Sequence, residues 1–598
     1  MRSSWLLIFF ILQIIGCSSS EKMQKEAQAF LDGYSAKYKE LSYAASLAQW
    51  DLNTKIIEGD STNAVAARKA NEAFAAFTGS TENINSARRW LQQKDKLLPL
   101  QVQQLERVLY LAANNPQTVE ALVKARIKAE TEQTEKLFGF DFKIDGKSVL
   151  TNEIDEILRK ENQLPRRLKA WETSKEVGKV LKDGLANLQR LRNETVQALG
   201  YKDYFTYQVS DYGMSTEEMM ALMQKLNREL RPLYRELHTY ARFELAKRYG
   251  VNEVPDMLPA HWLPNRWGQD WNAMVTAEGL DLDSALRTKP AEWLVEQGEN
   301  FYVSLGFEKL PPGFWEKSSL YPLPKDAGYK KNNHASAWHM DYENDVRSLM
   351  SVEPNAEWYE TVHHELGHIY YFLTYTNPEV PPILREGANR AYHEAIGSLL
   401  GLAAVQKPFL EHLQLVPAQS KTNEQQLLLK DALNHVVFIP FSAGVMSEFE
   451  HDLYANNLPK NQYNQRWWEL AQKYQGMSPP SLRGEEFCDA ASKTHINDDA
   501  AQYYDYALSF VLLFQLHDHL ATKILHQDAH ATNYFGSKEV GDFLREMMHP
   551  GASRNWREVL REKTGEDLSA RAMLKYFEPL MAYLQEANKG RKHTLGEI

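Results

Sequence analysis

Apolar residues recur at helical spacing through most of this chain, and stretches alternating apolar with polar residues are scarce. Phe30, Leu31, Tyr34, Tyr38 and Leu41 fall on one helical stripe, as do Leu222, Leu226, Leu230, Leu233 and Leu237. Recurrence every three or four positions lines one face of a 3.6-residue turn and cannot line one face of a strand. The second stripe begins at Ser215-Thr216-Glu217-Glu218, a capping-box pattern, and Gly250 follows its last turn. Pro232 inside it is a site for a kink. The best extended segment lies around His334 to Val352, after a loop containing Pro311, Pro312, Pro322 and Pro324. No repeat at solenoid periods and no Gly-, Ser- or Pro-rich linker divides the rest. Residues 17–598 therefore read as one helical domain, an all-α fold with a small β element.

The first 16 residues read differently. Arg2 precedes the apolar run Leu6 to Ile15, broken only by Gln13, and Gly16, Cys17 and three serines follow. A charged start, a short apolar centre and small residues make an export signal, too short to span a bilayer. Ile14-Ile15-Gly16-Cys17 resembles the bacterial lipoprotein signal, whose cysteine is lipidated and becomes the mature N-terminus. The expectation is an exported protein held in a bacterial envelope by lipid on Cys17, with no other membrane contact. Cys488 is the only other cysteine, which excludes a disulfide framework. A net charge of −11 leaves no basic excess to offset phosphate, which argues against nucleic-acid binding.

The chemistry concentrates at Val362-His363-His364-Glu365-Leu366-Gly367-His368. His364-Glu365-x-x-His368 has the spacing of a zinc-peptidase site. Four residues apart on a helix, the two histidines sit about 40° apart around the axis and about 6 Å along it. Both imidazoles can then reach one ion. Glu365 lies beside that line, where a carboxylate can take a proton from water that the metal has acidified. Trp358 to Tyr375 carries no Pro, and Asn377-Pro378 ends the expected helix; His363 faces elsewhere and reads as structural. A third ligand is needed. Glu394, 26 residues past His368 in an apolar helix, is the best choice, because a buried carboxylate needs a partner; His393 and Glu386 are the alternatives.

Several separated blocks resemble the angiotensin-converting enzyme family of peptidyl-dipeptidases. Besides the metal motif they are Pro259-Ala260-His261, Trp267-Gly268-Gln269-Asp270-Trp271, His334-Ala335-Ser336-Ala337-Trp338, Arg385-Glu386-Gly387-Ala388-Asn389, His393-Glu394-Ala395-Ile396-Gly397, Lys473-Tyr474-Gln475-Gly476 and Lys493-Thr494-His495-Ile496. The resemblance implies a two-lobed helical body with a deep central cleft, one catalytic zinc, and oligopeptide substrates that lose C-terminal dipeptides. It implies that Gln269, Lys493 and Tyr503 hold the substrate's terminal carboxylate. His334 and His495 would bond substrate carbonyls, and Tyr506 would stabilise the oxyanion. Ala335 and Ala337, alternating on an extended segment, can offer backbone groups to a peptide added as a strand. Tyr504 is the competing ring for the place of Tyr503, through one extra residue after His495. A carboxypeptidase relative of the family has Arg at the place of Gln269, which shortens its pocket to one residue.

The chain also departs from the family pattern. His339 and Ser398 stand where the family usually has Asp, and a carboxylate at the second place would orient a ligating imidazole. Ala471, Asp505 and Val209 stand where chloride-activated members carry arginines, so chloride is not expected as a cofactor. The N-terminal reading has a direct check. Protein from the native host should begin at a lipidated Cys17, and Cys17→Ser should leave an unlipidated precursor; an unmodified N-terminus downstream of Cys17 would contradict it.

Overall fold

The stripes of the sequence are helices in the computed structural model, which describes residues 4–57, 59–276, 282–324, 326–417 and 421–598, with side chains from residue 20 onward. In chain order, the elements that position the site begin with helices α1 (Ser4–Thr54) and α2 (Thr216–Arg248). Strands β1 (Ser336–His339) and β2 (Val346–Leu349) follow. Helices α3 (Ala356–Tyr375), α4 (Arg390–Ala404), α5 (Glu424–Ile439) and α6 (Tyr504–His519) complete the set. The fold is all-α: among the described residues, strand occurs only as three two-stranded sheets. No described helix is long and apolar enough to cross a membrane. The side chain of Cys17 lies outside the described set.

The capping box of α2 is formed in both directions. Glu218 N–H donates to Ser215 Oγ at 3.1 Å, and Ser215 N–H donates to Glu218 Oε2 at 2.8 Å. The helix continues through Pro232, with Leu230 and Leu233 buried on either side of it. Tertiary packing there outweighs the lost backbone bond. The large apolar core takes in the Leu stripe of α2 together with Leu366, Leu399, Val436 and Leu512 from α3 to α6. The stripe of α1 supplies a smaller core, in which Leu31, Tyr34 and Tyr38 meet Leu105, Val108 and Leu384.

The extended segment is an antiparallel hairpin, with Ser336 opposite Leu349 and Ala337 opposite Ser348. Helix α1 backs it: Trp50 meets Trp338 edge-on, ring centroids 5.5 Å apart, and the Arg347 guanidinium lies 5.3 Å from the Trp50 ring. One edge of β1 pairs with β2, and among the described residues its other edge makes no backbone hydrogen bond.

Helices α3 and α4 carry the motif. Asn355 caps the first through Trp358 N–H at 2.9 Å, and Asn389 caps the second through Tyr392 N–H at 2.9 Å. They touch where each has a glycine. A Cβ on Gly367 would come within 2.8 Å of Gly397 Cα, and one on Gly397 within 3.0 Å of His364 O. Tyr302 braces the same place by donating to His363 O at 2.7 Å. Gly367→Ala should therefore push the helices apart, lower stability by about 1–3 kcal/mol and weaken metal binding. Chemical denaturation and metal titration check this, and wild-type values in both would contradict it.

Candidate metal centre

His364 and His368 lie one turn apart on α3, and Glu394 comes from α4, as the helix crossing dictates. His364 Nε2 is 3.0 Å from His368 Nε2 and 3.6 Å from Glu394 Oε2. One donor atom from each of the three residues fits within a 4.8 Å span. Metal–ligand bonds of about 2.0–2.1 Å in a tetrahedron give donor–donor edges of about 3.3 Å. The two closest pairs bracket that value, so the donor set fits one small ion. Burial draws both imidazoles down to about 4, with His368 adding to the effect at His364. They are thus neutral at pH 7, the state in which a ring nitrogen can ligate.

The alternatives for the third ligand sit elsewhere. His393 packs behind His368, with Nδ1 2.6 Å from His368 Nδ1, and its Nε2 is buried without a partner. Glu386 is paired with Arg107, which also binds Asp211 at 2.6 Å. Ser398 Oγ lies 3.5 Å from His364 Nδ1, at the limit of a hydrogen bond; the hydroxyl occupies the orienting place without the charge of a carboxylate. His339 stacks on Phe372 at 5.2 Å and its Nε2 lies 3.1 Å from Glu343 O, turned away from the three donors. His363 is buried, with Nδ1 2.7 Å from Tyr359 O, in the structural place read from the sequence.

Glu365 is buried beside the donors, and its Oε2 has no hydrogen-bond partner among the described residues. Burial first, then the nearby Glu394, pushes its carboxyl up to about 8. Such an isolated carboxylate is costly unless a cation or a proton shares the site. A cavity of about 600 Å3 opens over this group, lined by His364, Glu365, His368, Glu394, Tyr506 and the segment His334 to Ala337.

The remaining residues named from the sequence form a second cluster joined to the first through Tyr506. Lys493 Nζ donates to Gln269 Oε1 at 2.9 Å, and Tyr503 Oη donates to the same oxygen at 3.2 Å. Lys493 lies 4.3 Å from the Trp267 ring and has no ion-pair partner among the described residues. Burial draws its ammonium down to about 7. The Tyr503 ring is 4.8 Å from that of Tyr506 and 4.9 Å from that of His495, whose Nε2 is 3.3 Å from Tyr506 Oη. Burial pushes the Tyr506 phenol up to about 12, so it keeps its proton. Tyr504 points into the core against Tyr212, its hydroxyl unpartnered. Of the two competing rings, Tyr503 is the one with Gln269 and Lys493.

Arg390 was not read from the sequence, although helical spacing puts it one turn before Glu394 on the same face. It lines the cavity, and its guanidinium pairs with Asp499 at 2.7 Å and Asp505 at 3.1 Å. Asp505, at a place where chloride-activated members carry an arginine, thus faces a cation from another helix. Ala471 and Val209 are buried among apolar side chains.

A family model described as angiotensin-converting enzyme matches residues 21–597. The angiotensin-converting enzyme of Mesocricetus auratus is 30% identical over 601 residues, covering 95% of this chain and 44% of that protein. The angiotensin-converting enzyme-like protein Ace3 of Mus musculus is 31% identical over 626 residues, covering 100% of this chain and 83% of that protein. The angiotensin-converting enzyme of Bos taurus is 34% identical over 463 residues, covering 75% of this chain and 35% of that protein. The chain therefore spans less than half the length of two of these three relatives.

Proposed function

This chain belongs to the angiotensin-converting enzyme family, and on that premise we propose that it is a zinc peptidyl-dipeptidase releasing dipeptides from the free C-termini of oligopeptides. One juxtaposition carries the proposal: three metal-ligating groups converge beside Glu365, a buried carboxylate with an unpartnered oxygen. Held by His364, His368 and Glu394, zinc supplies the charge that acidifies water and polarises a carbonyl. Everything else falls to side chains. Glu365 takes the proton of the attacking water and returns it to the leaving nitrogen; a carboxyl held above its usual range is the stronger base. The Tyr506 hydroxyl donates to the scissile carbonyl oxygen as negative charge builds there. His334 bonds a substrate carbonyl, His495 Nε2 lies against Tyr506 Oη at 3.3 Å, and the segment from Ala335 into β1 at Ala337 takes the peptide as an added strand.

Gln269, Lys493 and Tyr503 hold the terminal carboxylate, which supplies the partner that the Lys493 ammonium lacks. An uncharged Gln269 leaves depth for two residues between this anchor and the scissile bond. With Asp499 and Asp505 neutralising Arg390 internally, the site needs no added anion. The anchor expected at Cys17 would hold this activity at the envelope surface.

Two outcomes check the reading. Glu365→Gln should keep one zinc per chain and lose turnover by about 10²–10⁴-fold, while wild type should release dipeptides from free C-termini and spare amidated ones. Mutant turnover at a tenth of wild type or more would remove Glu365 as the base. Single amino acids as first products by mass spectrometry would favour a carboxypeptidase instead. The second outcome concerns pH. Lys493 is an ammonium below about 7 and loses its charge as pH rises through that value, so carboxylate binding weakens on the alkaline side. The profile of kcat/KM should show an alkaline limb near pH 7 that Lys493→Met abolishes, with a loss of about 100-fold at pH 6. An unchanged limb in Lys493→Met would sink this assignment.

A further inference from the structure

We propose that Arg390 is a positioning residue that turns the Tyr506 hydroxyl hydrogen into the cavity; this role rests on the peptidase reading above. The three guanidinium nitrogens serve three different groups. Nη1 pairs with Asp499 Oδ2 at 2.7 Å, Nε with Asp505 Oδ2 at 3.1 Å, and Nη2 donates to Tyr506 Oη at 3.4 Å. A planar fork hydrogen-bonded to Asp499 and ion-paired with Asp505 leaves its third nitrogen little freedom of direction. Asp505 is buried, and neither of its oxygens has a hydrogen-bond partner. Burial pushes its carboxyl up to about 8, and Arg390 is the cation that opposes that shift, so removing the cation leaves the buried acid without its partner. The cation is held from behind while it lines the cavity beside His364, Glu394 and Tyr506.

The consequence lies in the direction of one hydrogen. A guanidinium N–H can only donate, so the Tyr506 oxygen must accept from Arg390. On its other side is His495 Nε2, at 3.3 Å. The far nitrogen of that ring, Nδ1, lies 3.1 Å from Thr494 Oγ1, whose hydroxyl can donate to it. With Thr494 as the donor, the imidazole proton sits on Nε2, on the Tyr506 side. With both lone pairs of the phenol oxygen accepting, its own hydrogen is left to point into the cavity. Donation into an oxygen also strengthens that oxygen as a donor. Without Arg390 the phenol oxygen regains a free lone pair, and its hydrogen is no longer confined to the cavity side. Arg390 thus acts on catalysis through Tyr506 and makes no contact of its own with the reacting atoms.

A double-mutant cycle tests this on the zinc-loaded enzyme with one short peptide. Arg390→Ala should lower kcat about ten-fold with KM within about two-fold of wild type. In a Tyr506→Phe background the same change should lower kcat less than about two-fold, because the group it orients is gone. Arg390→Lys keeps the charge opposite Asp505 but not the fork, and should recover only part of kcat. Should Arg390→Ala fail to fold, the cycle run with Arg390→Lys decides by the same criterion. An equal loss in both backgrounds, or an effect on KM alone, would overturn the role of Arg390 and leave the peptidase reading standing. No cleavage by wild type would overturn that reading, and this role with it.

Discussion

The site depends on how closely two helices can approach. His364 and His368 are one turn apart on α3, but the third donor sits on α4, and it reaches them only because the helices touch backbone to backbone. Gly367 and Gly397 make that contact possible: each lies where a single added carbon would strike the other helix. Gly397 also packs directly against the His364 ring and backbone. The glycines that allow the crossing thus lie among the ligands. Close packing transmits small displacements with little give, so the metal geometry is set by the crossing more than by any one side chain.

Burial then sets the charge states. It keeps the two ligating imidazoles neutral and raises the Glu365 carboxyl, while Lys493 is drawn toward neutrality in a pocket of rings. Among the described residues each buried group lacks a partner: the donors a cation, Glu365 Oε2 a hydrogen bond, Lys493 an anion. Under the proposed function zinc, the attacking water and the substrate carboxylate supply them. By contrast Arg390 finds both Asp499 and Asp505 within the chain, so the proposed frame for Tyr506 stands whether or not substrate is bound.

The sequence was legible where function follows from local spacing. The periodicity named the helices and the capping box named the start of α2, because both are settled within a few residues. Glu394 could be singled out because a carboxylate in an apolar helix needs a partner, though only the three-dimensional arrangement separates it from His393 and Glu386. The ambiguity between Tyr503 and Tyr504 was of the same kind: adjacent residues on a helix end point about 100° apart, and one of them had to face the core. Arg390 escaped notice because its meaning lies in Asp499 and Asp505, more than a hundred positions away. A scan for cations near Asp505 in the sequence cannot find one that arrives from another helix. The glycine contact was hidden for the same reason, since each glycine alone is an ordinary helix residue.

The central claim is that His364, His368 and Glu394 share one zinc ion beside Glu365. Anomalous diffraction at the zinc edge, on crystals of protein purified without chelator, tests it most directly. One peak per chain is expected, about 2.1 Å from His364 Nε2, His368 Nε2 and a Glu394 oxygen. A chain without zinc at this place after zinc loading, or a peak held by His393 or Glu386 in place of Glu394, would contradict it.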